Sequence, residues 1–111
     1  MNLDGIVMYV SSSAEQGVVG SGTRLHFVQK GARVFARYSG GAIERGCLVG
    51  SVNDRTLAFR YVQREASGEL HAGRSLCEVQ VRENGRIRIF ENFRWSTREG
   101  AGTNVFDEVG G

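Results

Sequence analysis

Arg86-Ile87-Arg88-Ile89-Phe90-Glu91-Asn92-Phe93-Arg94-Trp95-Ser96 is the stretch that decides the fold. Ile87, Ile89, Glu91, Phe93 and Trp95 take every second position, with Arg86, Arg88, Phe90, Asn92 and Arg94 between them. Successive side chains of a strand point to opposite faces, so this period of two predicts a strand with one buried face. Asn84-Gly85 stands just before it. Both residues tolerate the positive φ of a type I′ hairpin turn, so a preceding strand should run back antiparallel into this one.

The same pattern extends outward. Leu57, Phe59 and Tyr61 oppose Ala58, Arg60 and Val62, and Val34, Ala36 and Tyr38 oppose Arg33, Phe35 and Arg37. Gly46, Leu48 and Gly50 share a face where small residues allow a sharp bend or leave room for a larger side chain opposite. Turn-like clusters at Glu15-Gln16-Gly17, Lys30-Gly31, Ser39-Gly40-Gly41, Asn53-Asp54, Ser67-Gly68, Asn84-Gly85 and Gly100-Ala101-Gly102 punctuate the chain. They leave eight segments, near 5–13, 19–29, 33–38, 43–52, 56–63, 69–81, 86–96 and 103–108. Short connections favour antiparallel pairing of neighbours, and closure of such a sheet removes its exposed edges. The expectation is all-β: one domain over residues 1–111, an antiparallel up-and-down β-barrel of about eight strands, with 110–111 as a disordered tail.

Composition agrees with one folded core and narrows the function. The 111 residues are 41% hydrophobic and 23% charged, with 16 glycines and no proline. Glycine without proline suits a meander of long strands joined by tight turns. A net charge of +2 is too small for a dedicated electrostatic nucleic-acid binder, although Lys30 is the only lysine among 14 basic residues. No apolar run approaches membrane-spanning length, and Met1-Asn2-Leu3-Asp4-Gly5 lacks a basic region followed by an apolar stretch. Cys47 and Cys77 fall on strands not expected side by side, so both read as free thiols, as in a reducing cytoplasm.

Catalytic motifs are missing. His26 and His71 stand alone rather than in the close pairs that bind zinc, so neither a metal nor a cofactor is expected. Ser39 and Ser75 have no nucleophile elbow, and Cys77 has no helix N-terminus to activate it. Gly17-Val18-Val19-Gly20-Ser21-Gly22 looks like a phosphate loop but leads into the strand-like Thr23-Arg24-Leu25-His26-Phe27 and lacks the lysine.

Glu91 is the informative position, because a carboxylate within an inward apolar set needs a partner. Arg74, Tyr38 and Tyr61 are the partners that alternation offers. One reading is a buried network fixing strand register. Another is the polar floor of a small-molecule cavity walled by Tyr38, Tyr61, Phe93 and Trp95, with Arg74 as a second charge. A catalytic acid lacks a second carboxylate to work with. On the outer face, Phe35, Arg88 and Phe90 suggest a protein contact or homo-oligomer interface.

Phe27-x-Gln29, Ala36-x-Tyr38-Ser39-Gly40-Gly41-x-Ile43, Gly46-x-Leu48-x-Gly50 and Leu57-x-Phe59-Arg60-Tyr61 follow one another in a distinctive order. Gly68-Glu69-Leu70-x-x-Gly73-x-Ser75, Gly85-Arg86-Ile87-Arg88, Glu91-x-Phe93-x-Trp95-Ser96 and Asp107-Glu108 complete the series. In this, the chain from about Gly17 to Val109 resembles a family of small bacterial proteins with an avidin-like barrel. The resemblance implies a barrel of the avidin and streptavidin type, a lipocalin-like meander, without implying biotin as ligand. Some members carry the label N-acetylglutamate synthase. That activity needs an Arg/Gln-x-x-Gly-x-Gly/Ala loop opening a helix, whereas Gly17 stands here where the Arg or Gln belongs. The expected function is therefore a non-enzymatic barrel that binds a small molecule or forms a protein interface.

Overall fold

The computed structural model describes residues 2–110. Eight strands follow in order: β1 (Val7–Ser12), β2 (Arg24–Lys30), β3 (Arg33–Gly40), β4 (Ile43–Asn53), β5 (Thr56–Glu65), β6 (Leu70–Val81), β7 (Ile87–Trp95) and β8 (Ala101–Glu108). Each pairs antiparallel with the next, and β1 pairs with β8 to close the barrel. Closure satisfies the backbone of both would-be edge strands. Among the described residues no helix is long and apolar enough to cross a membrane.

Alternation places the side chains as expected. Ile87, Ile89, Glu91, Phe93 and Trp95 are buried, and so are Leu57, Phe59, Tyr61, Val34, Ala36 and Tyr38. Two inward glycines make room for rings. A Cβ on Gly46 would lie 2.3 Å from the Tyr38 ring, and one on Gly73 would lie 2.3 Å from the Tyr61 hydroxyl. The tyrosine rings take the space that a side chain at these glycines would occupy.

Three local expectations are corrected. The second strand begins at Arg24 rather than near residue 19, because Gly20, Ser21 and Gly22 form a turn closed by Thr23 N donating to Gly20 O at 2.8 Å. The buried Thr23 hydroxyl ties this turn to β3 by donating to Gly40 O at 3.0 Å. The β6–β7 turn is not type I′. Gly85 alone has positive φ (81°), and its N–H donates to Arg82 O at 2.8 Å. That is a type I turn followed by a left-handed glycine, the usual longer hairpin. The eighth strand starts at Ala101, two residues before the expected Thr103. Of the expected tail, Gly111 lies outside the described residues.

Cys47 and Cys77 are free and sit on the non-adjacent strands β4 and β6. Burial and the neighbouring Glu91 push the Cys77 thiol pKa well above its ordinary value.

Candidate functional site

One end of the barrel is closed by the connection between β1 and β2. Val18 and Val19 pack against the core from this segment instead of extending β2. Besides the Thr23 bond to Gly40 O, three hydrogen bonds hold it. Trp95 Nε1 donates to Gln16 O at 2.8 Å, Ala101 N donates to Gln16 Oε1 at 3.0 Å, and Ala14 N donates to Asn104 Oδ1 at 2.8 Å. The peptide bonds of this segment lie against polar side chains rather than a neighbouring strand, so no strand ladder supports it.

Beneath it lies a cavity of about 20 Å³, lined on its polar side by Gln63, Glu91 and Asn104 and on its aromatic side by Tyr38, Tyr61, Phe93 and Trp95. That is room for one water molecule. Trp95 is the hub of the aromatic wall, with Tyr61 and Phe93 both meeting it edge to face, their ring centroids 5.5 and 5.8 Å away.

Glu91 is fully enclosed. Ser75 Oγ donates to its Oε2 at 2.7 Å, and Asn104 Nδ2 donates to its Oε1 at 2.9 Å. Desolvation raises its pKa, and these two hydrogen bonds oppose that rise without cancelling it. A carboxyl so placed takes up a proton more readily than one in water. It also pushes the pKa of the nearby Tyr38 and Tyr61 hydroxyls upward, on top of the larger effect of their own burial.

A second polar chain runs along β5 toward the same end. Tyr38 OH donates to Gln63 Oε1 at 2.9 Å, Gln63 Nε2 donates to Glu65 Oε2 at 3.0 Å, and Arg98 pairs with that same oxygen. Arg98 also lies over the Trp95 ring, 4.4 Å from its centroid. Two buried polar atoms flank Trp95 without a partner among the described residues: the Tyr61 hydroxyl and Arg98 Nε. Glu65, Glu69 and His71 come together at this rim, but the Arg98 guanidinium already neutralises Glu65. A cation there would have to displace it.

Tyr38, Tyr61, Glu91, Phe93 and Trp95 thus share one interior region. Arg74 does not join them. It follows Gly73 and precedes Ser75, both inward, so the strand period turns it outward, where it is exposed. Its expected role beside Glu91 belongs to Ser75 and Asn104. Phe35, Arg88 and Phe90 do not form one patch either. Phe35 is on β3 and the other two on β7, with three strands between them by either route around the barrel. Arg88 is moreover committed to Asp107, donating from Nε at 2.7 Å and from a terminal nitrogen at 3.0 Å. Gln63, Glu65 and Asn104 were within reach of sequence reasoning. The alternation of Leu57, Phe59 and Tyr61 simply continues to Gln63 and Glu65, and Asn104 alternates with the buried Phe106.

No curated protein is similar enough to the chain to count as a match. The family model described as Avidin-like protein matches residues 1–109. With an eight-stranded antiparallel barrel closed in simple strand order over that same span, the chain belongs to the avidin-like protein family.

Proposed function

We propose that the barrel is a non-enzymatic binder of a small molecule, held at the end closed by the β1–β2 connection. Tyr38, Tyr61, Phe93 and Trp95 form its walls and Glu91 its polar floor. The observation that carries this reading is that Tyr61, a residue of the cavity wall, buries a hydroxyl with no partner among the described residues. An orphaned buried hydroxyl costs on the order of 1–3 kcal/mol, which a ligand acceptor would recover. Since the cavity of about 20 Å³ holds only one water, a ligand must displace Val18 and Val19, swinging the β1–β2 connection outward. The ligand fitting these walls is flat or apolar and carries an acceptor for the Tyr61 hydroxyl. Freshly purified protein measured by native mass spectrometry should show an added small-molecule mass that disappears on denaturation and is reduced in Tyr61→Phe. A bare mass throughout, with Val18 and Val19 amides exchanging as slowly as the core strands, would make the barrel a filled scaffold.

A second reading is a homo-oligomer through the outer face of β2–β4. Val28, Phe35 and Val49 are paired across these strands and all exposed, giving one apolar row. Sedimentation should then show an assembly that Phe35→Glu dissociates and Phe90→Glu leaves intact.

A further inference from the structure

The cross-strand row that begins with Val28, Phe35 and Val49 continues around the barrel as Arg60, Arg74, Arg94 and Ala101. Arg60 pairs directly with Arg74, and Arg74 with Arg94. Three exposed guanidinium side chains therefore spring from neighbouring strands at about 5 Å spacing. Like charges directly opposite one another destabilise a sheet, and native sheets usually intersperse acids. Here none is near. The outward positions two residues along each strand are Ala58 and Val62 on β5, Ala72 and Leu76 on β6, and Asn92 and Ser96 at β7 and its end. None of the three arginines makes an ion pair among the described residues, whereas Arg82, Arg88 and Arg98 all do.

The same three arginines line a shallow, open depression of about 940 Å³ across the outer face of β4–β8, together with exposed Val49 and Leu76. Its aromatic members, Phe59 and Phe93, point into the barrel and are buried. We infer that this groove is a docking surface for an acidic protein segment that presents carboxylates to Arg60, Arg74 and Arg94 and apolar side chains to Val49 and Leu76. Charge complementarity selects this occupant. Guanidinium groups pair bidentately with carboxylates, and arginine beside exposed aliphatic carbon is typical of protein interfaces. Single-stranded nucleic acid would want exposed rings for base stacking, which the groove lacks. A second copy docked face to face about this row would set arginines against arginines.

The test is a titration of ¹⁵N-labelled protein with a synthetic glutamate-rich decapeptide containing two leucines. Its glutamine counterpart, a deca-thymidylate and inorganic triphosphate serve as comparison probes. Shifts should appear at Arg60, Arg74, Leu76 and Arg94 with the acidic peptide alone, and should weaken with added salt. Arg74→Glu should lower the affinity about tenfold, while Arg33→Glu, at the β2–β3 turn, should leave it unchanged. Arg74 is exposed, so the variant keeps its fold, verified by an unchanged amide spectrum for the interior strands. Equal binding in Arg74→Glu, or no binding of the acidic peptide, overturns the inference. So does tighter binding of the oligonucleotide or triphosphate at these arginines, or a dimer that Arg74→Glu dissociates. Because the groove and the interior cavity lie on opposite sides of the sheet, either proposal can fail without the other.

Discussion

Replacing Glu91 with glutamine keeps the shape of the side chain and removes its titration. The new amide can accept from Asn104 Nδ2 through its oxygen and donate to Ser75 Oγ through its nitrogen, in place of the bonds of 2.9 and 2.7 Å that Glu91 accepts. In the unfolded chain Glu91 titrates near pH 4.3, about the value for a free glutamate. In the folded barrel burial raises its pKa. Between these two values the native state holds a proton that the unfolded state has released, so stability falls as pH rises, by about 1.4 kcal/mol for each pH unit of that window. Below the window the two states are protonated alike, and above it the loss is complete. Glu91→Gln should therefore match the wild type near pH 4 and exceed it at pH 7. Each unit of elevation is worth about 1.4 kcal/mol, or roughly 5–10 °C in Tm for a domain of about this size. Urea unfolding followed by Trp95, the only tryptophan, would be run from about pH 4 to pH 8 on both proteins. Asp107 and Glu69, whose pKa values are lowered, change stability in the opposite sense on the acid side, but equally in both proteins. The difference curve thus isolates Glu91. Parallel curves, with no gain at pH 7, would refute the claim that burial dominates its two hydrogen bonds.

Three further outcomes are expected. Gly46→Ala places a Cβ 2.3 Å from the Tyr38 ring, which Gln63 pins from the other end; overpacking of this kind should cost about 1–3 kcal/mol in urea melts. Arg88→Met leaves the buried Asp107 with Arg82 at 3.7 Å and the Ser11 side chain, and should cost about 1.5–3 kcal/mol at neutral pH. Because the Asp107 pKa is lowered in the folded state, that cost is fully present above the ordinary aspartate value and is lost as pH falls through the lowered folded-state value, below which both proteins converge. Iodoacetamide on native protein should label the half-buried Cys47 first, while Cys77, enclosed and with its thiol pKa raised, reacts only on unfolding; intact-mass analysis would show a single adduct.

The sequence by itself determined the strands, their order and their inward faces. A period of two is a local property, visible in Ile87 through Trp95 before any partner strand is known, and tight turns between neighbours leave antiparallel pairing as the economical topology. It also placed Tyr38, Tyr61, Glu91, Phe93 and Trp95 inside. What only the tertiary structure decided was register and the fate of irregular backbone. Glu91 bonds Ser75 rather than Arg74 because pairing of Cys77 with Glu91 and of Ser75 with Phe93 sets which inward side chain on β6 lies within reach, and a shift of one residue would reverse both faces. Register likewise aligned Arg60, Arg74 and Arg94, which are 14 and 20 residues apart along the chain. The position of Phe35 opposite Phe90 follows from closure, a global condition that no single strand encodes. Val18 and Val19 continue a strand pattern in sequence, yet the turn at Gly20-Ser21-Gly22 and the Gln16 and Asn104 hydrogen bonds fold them over the barrel end. There, long-range side-chain contacts outweigh a local β preference that is worth at most about 1 kcal/mol.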